Sequence, residues 1–504
     1  MPIINTSWTR LPPQIRRHIL DFLLCDGCGL ARLATVSREW YAVIEPYNFA
    51  RISLTPLRLC HSGPILHRKR DVIKYIWFRL ELQQYDCTKC APDHQSLWGL
   101  NDGDNMLITK AFQSLFLTLS QWKPNGSLML DISIYSLSDS QHWFKYLDFR
   151  PDIPPSESSF PPWHGQPSAW TPTDDPTHGW VAGRQETAPN WFAIEKVFDE
   201  IMCEGPFDEE EPEMQWWQGL PSVPAITGIL LRQQTRRRWK PTALANMLTR
   251  FPNLEEIWYE PWREWQGMER FTDKRYQTLI ESLTRGKLRR LVVFENFNQA
   301  YPGKFFECHP IRVPSPVVSR ELARASLQLE ILSASFMVEA RYFFKQTRQS
   351  SWTWQNLTAL ALTSRLLAPG ASATDIDDML LDAAVAALNM PKLETMEIWN
   401  GREGLAMLFR YKIGRNGQSP IITLRGTFEL ALRPAVARAW DAVALQHGHG
   451  KVVIKSSSID VDSIGSHGDA ICHLGLSTQV IRPVSLQQIL KEHQVRAGVF
   501  NGQV

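Results

Sequence analysis

A chain of 504 residues exceeds what one hydrophobic core ordinarily serves, so several domains or one elongated repeat body are expected. Its 44% apolar and 21% charged residues exclude an extended disordered chain, and a net charge of +2 supplies no field for attracting nucleic acid or an anionic membrane. Residues 1–30 show no secretory-signal pattern and no apolar stretch reaches about eighteen residues, so no membrane association is expected and a cytoplasmic and/or nuclear location is.

The first fifty residues predict three short helices. Leu11-Pro12-Pro13 places prolines where a first helical turn tolerates them, and Ile15, Ile19, Leu20 and Leu23 recur at helical spacing. Asp26-Gly27-Cys28-Gly29 ends that helix, because glycine adopts turn conformations that other residues resist. A second helix carries Leu30, Leu33, Ala34 and Val36, and Ser37 caps a third with Trp40, Val43, Ile44 and Tyr47, closed at Pro46 and by a strand-like segment Arg51 to Leu54. So small a bundle leaves part of its apolar surface open, which suits either a docking module or a cap on the next domain.

Beyond residue 100 helix and strand alternate. The clearest unit follows a helix and sets three apolar residues at fixed spacing. It occurs as Leu254, Ile257 and Tyr259; Leu288, Leu291 and Val293; Leu329, Leu332 and Ala334; Leu357, Leu360 and Leu362; and Leu393, Met396 and Ile398. Weaker strands are expected at Leu128 to Ile134, Ala225 to Leu231, Ile421 to Leu424 and Val452 to Ile454. Such units bury their apolar faces by stacking, and their strands would line a concave wall, giving an irregular leucine-rich-repeat-like α/β solenoid, or horseshoe. An ordinary α/β domain with a parallel sheet fits the same pattern.

Pro154-Pro155 and Pro161-Pro162-Trp163 break the rhythm, and residues 150–222 read as an excursion from the solenoid. The acidic run Asp208 to Glu211 with Glu213 precedes a basic cluster of Arg232, Arg236, Arg237, Arg238 and Lys240. The cluster is compatible with a nuclear import signal, but the neighbouring Trp239 and strand favour arginines paired with acids or stacked on tryptophan. The expected division is therefore a helical module at 1–50, a linker with first capping helices at 51–125, a solenoid at 126–460 and a C-terminal cap at 461–504.

Phosphate-binding, nucleophile-elbow and His-Glu-x-x-His motifs are absent, so no catalytic residue and no cofactor is expected and the chain is expected not to be an enzyme. His447 and His449 share only a Gly-rich turn. Eight Cys are too few for a disulfide framework, but Cys25 with Cys28 and Cys87 with Cys90 have Cys-x-x-Cys spacing. Zinc held by these four, with Cys60, His61, His67 or His94 assisting, stays open as an alternative.

The segment Leu11-Pro12-Pro13-Gln14-Ile15, then Ile19-Leu20, then Leu33-Ala34-Thr35-Val36-Ser37-Arg38-Glu39-Trp40 resembles an F-box, over about a tenth of the chain. Gln14 stands where that family more often has an acidic residue. The rest is similar to fungal F-box proteins with a degenerate leucine-rich-repeat body, notably in Leu230 to Arg237 and Glu256 to Arg263. The resemblance implies a non-catalytic substrate receptor of an SCF-type (Skp–cullin–F-box) ubiquitin ligase, or a scaffold that keeps the F-box without ubiquitin transfer. It also implies that Leu11, Pro12, Ile15, Ile19, Leu20, Leu33, Val36 and Trp40 face the Skp adaptor, through which a cullin joins, while the body holds a target protein.

Overall fold

The computed structural model describes residues 8–25, 30, 32–91, 99–152, 174–202, 206–207, 209–265, 267–284, 286–305, 308–346, 351–414 and 418–497. The expected turn Asp26 to Gly29, residues 153–173 of the Pro/Trp-rich excursion, and Asp208 lie outside them.

Among the described residues the fold is mixed α/β, with one large, mostly parallel sheet and fourteen α-helices. The sheet begins with β1 (Arg51–Leu54), β2 (Tyr75–Glu81), β3 (Met129–Tyr135) and β4 (Gly228–Leu231). It continues through β5 (Glu256–Tyr259), β6 (Arg290–Phe294), β7 (Ile331–Ser335) and β8 (Ala359–Thr363). It ends with β9 (Thr395–Arg402), β10 (Leu405–Lys412), β11 (Ile421–Gly426) and β12 (Val453–Ser458). Each strand pairs with the next in sequence, and only β10 runs antiparallel to its neighbours. The reversal comes from the two-residue turn Glu403-Gly404, whose glycine takes φ 69°, a value tight hairpin turns require. Residues 51–125, expected as linker and helices, supply β1, at the strand-like segment expected there, and also β2, which was not expected.

Two helices precede the sheet, α1 (Pro13–Cys25) and α2 (Arg38–Ala50). Where a middle helix was expected there is a single 3-10 turn, Leu33–Thr35, and α2 runs through Pro46. Ser37 caps α2, its hydroxyl accepting from Trp40 N. The connections between strands carry α3 (Pro56–Lys69), α4 (Asp102–Leu119), α5 (Trp191–Phe198), α6 (Glu210–Gly219), α7 (Pro241–Leu248) and α8 (Glu269–Leu283). They continue with α9 (Pro316–Ala325), α10 (Ala340–Lys345), α11 (Ala373–Leu388) and α12 (Pro434–Gln446), and α13 (His467–Leu474) and α14 (Pro483–Ala497) follow the last strand.

Side chains alternate across a strand, so each repeat unit sends two strand residues to one face of the sheet. All fifteen residues of the five units are buried in one continuous core shared with α4, α7–α9, α11 and α12. Burying a Leu such as Leu332 or Leu360 completely contributes about 1.5–3 kcal/mol relative to exposure, so this face dominates cohesion.

The opposite face is neither solvated nor uniformly apolar. Asp131, Leu230, Trp258, Val292, Ser333, Ala361 and Glu397 lie in register across seven strands, and every one is buried. Ile464, Ile471, Val480, Ile481 and Ile489, from α13, α14 and their flanks, pack with Phe294, Ala361 and Trp399 on it. From β3 to β9 the expected strand wall is thus buried, in large part under the chain's own residues 464–496, and its aromatics there are not free to meet a partner, whereas β12 is exposed along its length.

Candidate functional site

Four places carry unusual chemistry. The first is the amino-terminal pair of helices. Leu20, Leu30 and Ile44 form a small core of their own, with Leu33, Trp40 and Val43 packed on it. Trp8 lies against Trp40 at 5.1 Å between ring centroids, and both Trp8 Nε1 and Arg16 donate to Glu39, at 2.9 and 2.7 Å. The eight residues expected to face an adaptor therefore separate into two groups. Leu20, Leu33 and Trp40 hold the helices together, while Pro12, Ile15, Ile19 and Val36 are exposed and Leu11 is half-buried. Phe22 joins the exposed set at 76% and escaped the sequence reading, although its spacing from Ile15 and Ile19 places all three on one helical face. A stripe of large apolar side chains in water on so small a module marks an interaction surface.

The second place is the covered face of the sheet, whose cover is pinned by buried charges. Glu260 accepts from Gln233 N at 3.3 Å and Arg482 N at 2.8 Å, and also from the Ser485 hydroxyl; burial pushes its carboxyl up to about 7. Glu397 accepts from Ser477 N and Thr478 N, at 2.7 and 2.9 Å. Arg236 donates to Glu492 at 2.6 Å and lies 4.1 Å over the Trp262 ring, although its backbone takes φ 64°, where a non-glycine residue is strained. Each remaining member of the basic cluster meets an acid as well: Arg232 with Asp131, Arg237 with Asp139, Arg238 with Glu264, and Lys240 with Glu213 from the acidic run. These side chains are buried or nearly so, which rules out a surface import signal and accounts for the run of arginines structurally.

The third place is a cleft of about 520 Å³ beyond the carboxyl ends of β6–β9, lined by Arg263, Glu295, Arg312, Arg341, Arg365 and Arg402 among others. Ligands of parallel sheets settle at this edge, where loops and strand ends leave polar groups converging. Arg263 pairs with Glu269 and Arg312 with Glu295, both at 2.8 Å, whereas among the described residues no ion pair joins Arg365 or Arg402. Burial, and then the like charge of Arg365, hold the Arg402 guanidinium below its ordinary range. Glu339 accepts from Arg365 N at 2.9 Å and fixes the loop that presents this arginine. Such a pair suits a carboxylate or phosphate. The sequence signal was available, since Arg365 and Arg402 lie just past two of the apolar units.

Metal-ligating groups also converge, but not as the cysteine spacing suggested. Cys28 and His94 lie outside the described residues, as does the Cys25 side chain, and His67 faces Arg70 at the end of α3. Cys87 and Cys90 instead meet His142 and His178, with Sγ to Nδ1 and Sγ to Nε2 separations of 3.3 Å in each pair. No described helix is long and apolar enough to cross a membrane.

Residues 283–482 match a family of unknown function, DUF6546. That stretch runs from the end of α8 to the residue before α14, under half of the chain, and includes all but one of the cleft residues named above. No curated protein matches the chain.

Proposed function

We propose that the chain is the substrate-recognition adaptor of an SCF-type ubiquitin ligase, docking a Skp adaptor through α1, the Leu33–Thr35 turn and the start of α2, with catalysis left to other subunits. The observation that carries this reading is the exposed apolar stripe of Ile15, Ile19 and Phe22 with Val36, set on helices that have their own small core. Aromatic and aliphatic anchors that shed water on docking supply most of the affinity of such contacts. The sequential order of parallel strands, with helices stacked along one face, supports reading the body as a leucine-rich-repeat-like solenoid interrupted by the β10 reversal.

Because residues 464–496 cover the strand face, the target is assigned instead to the cleft, where Arg365 and Arg402 receive an anionic side chain. The test uses residues already in water, so that folding survives. Ile15→Asp with Ile19→Asp abolishes adaptor pull-down while circular dichroism stays unchanged, and undiminished pull-down defeats the reading. Recovery of the adaptor without cullin would favour a scaffold that does not transfer ubiquitin.

A further inference from the structure

The turn Cys87-Thr88-Lys89-Cys90 follows β2 and is shaped by Asp86, whose carboxylate accepts from Thr88 N at 3.1 Å and whose carbonyl accepts from Lys89 N at 3.0 Å. Two further segments reach it from remote parts of the chain, one through His142 and the other through His178 at the end of the 3-10 turn Pro176–His178. The ligand atoms of Cys87, His142 and His178 all lie within 4.8 Å of one another, and Cys90 stands 3.3 Å from His178. Tetrahedral zinc with ordinary bond lengths to sulfur and nitrogen places such atoms about 3.5 Å apart, so the observed 3.3 Å contacts need little adjustment.

The surroundings are built as a metal shell is built. His178 Nδ1 faces the Asp175 carboxylate at 2.8 Å, which leaves Nε2 directed at the thiols. Asp175 is itself held by Lys145 at 2.5 Å and Thr177 at 2.6 Å. A carboxylate behind the histidine fixes its tautomer and raises its basicity as a ligand. Cys90 and His178 are buried, and the Trp143 and Tyr85 rings border the histidines. Among the described residues between 136 and 190, hydrogen-bonded strands are limited to the two-residue Trp180–Val181 and Arg184–Gln185, so a crosslink would supply order that the ladder does not.

We propose that Cys87, Cys90, His142 and His178 bind one structural zinc ion. Two thiolates and two imidazoles select zinc over hard cations, with Cys90, which stands beside His178 and outside the mutual group of Cys87, His142 and His178, drawing in as the fourth ligand. Binding displaces the thiol protons of Cys87 and Cys90 to solvent, and four protein ligands leave no position for a reacting water, so the ion is structural and tethers residues 86–90, 142 and 175–178. The site is independent of the adaptor reading and lies outside the family match.

Full-length protein purified under reducing conditions without chelator should carry about one zinc per chain by elemental analysis. After metal removal, cobalt(II) should give the intense visible bands of tetrahedral sulfur–nitrogen coordination. Cys90→Ser and His178→Ala should each lose most of the zinc, while His142→Cys, which keeps a ligand, should retain it where His142→Ala does not. Intact protein with neither zinc nor a tetrahedral cobalt spectrum overturns the proposal, whether or not the variants fold. Undiminished zinc in the folded Cys90→Ser and His178→Ala proteins overturns it equally.

Discussion

Around Arg312 three carboxylates gather: Glu295 at 2.8 Å, Glu269 at 3.6 Å, and Asp273, which accepts from the same guanidinium. Burial pushes the Glu295 carboxyl up to about 7, with Glu269 and Asp273 adding to the effect against the pull of Arg312. An acid whose folded value lies above its unfolded one binds its proton more tightly in the folded state. Glu295 therefore favours folding most below about pH 4.5, and that contribution is lost as the pH rises through about 7. Glu295→Gln should gain stability relative to the parent between pH 5 and 8, by on the order of 3 kcal/mol at most, read from urea unfolding at each pH. A difference that does not vary with pH would show that Glu295 is not the titrating group. At the amino end, Leu20→Ala should cost about 2–4 kcal/mol of the module's stability and Ile19→Ala within about 0.5, because only Leu20 fills the local core. Thermal melts of the two variants provide the comparison.

At the scale of elements, α14 joins parts of the chain that no local pattern connects. Gln488 donates to Tyr146 O at 3.0 Å, Gln233 donates to Ser485 O at 3.0 Å, and Glu492 takes Arg236, Asn298 and Tyr301 together. Glu492→Ala leaves the Arg236 charge buried and unpaired, so it should destabilise the chain by about 3–5 kcal/mol, and Glu492→Gln by less. Denaturant midpoints separate these cases, and equal midpoints for both variants would exclude a dominant charge effect. The same element shows where sequence reading stopped. The five apolar units were legible because their spacing encodes a strand with one face on helices, and they fall on β5–β9. The cover was not, because Gln233, Glu260, Ser485 and Glu492 look like surface residues until residues hundreds of positions apart meet. β10 lies outside the expected strands because Leu405 to Phe409 is a continuous apolar run without the spacing of the five units, and only Gly404 marks the reversal. The exposed stripe of α1 was legible except for Phe22, whereas the cysteine pairs were read against each other when Cys87 and Cys90 in fact lie against histidines.

Over the whole molecule, the small core of α1 and α2 is separate from the large one beneath the sheet, and a module of that size holds little surplus stability. Hydrogen exchange should therefore proceed faster in residues 13–50 than in β6–β9, and added Skp adaptor should slow it selectively there; uniform protection along the chain would contradict this partition. The return of residues 464–496 across the sheet also sets an order of events during synthesis. Successive strands pair with their immediate predecessor, so the body can assemble as it leaves the ribosome. The contact between Tyr146 and Gln488 spans 342 positions, which at about 5–20 residues per second is a wait of roughly 20–70 s. Until it ends the nascent sheet displays Arg236, Glu260 and Glu397 without their final partners, so premature termination before residue 464 would release a chain with an open charged face for chaperones and proteases to find.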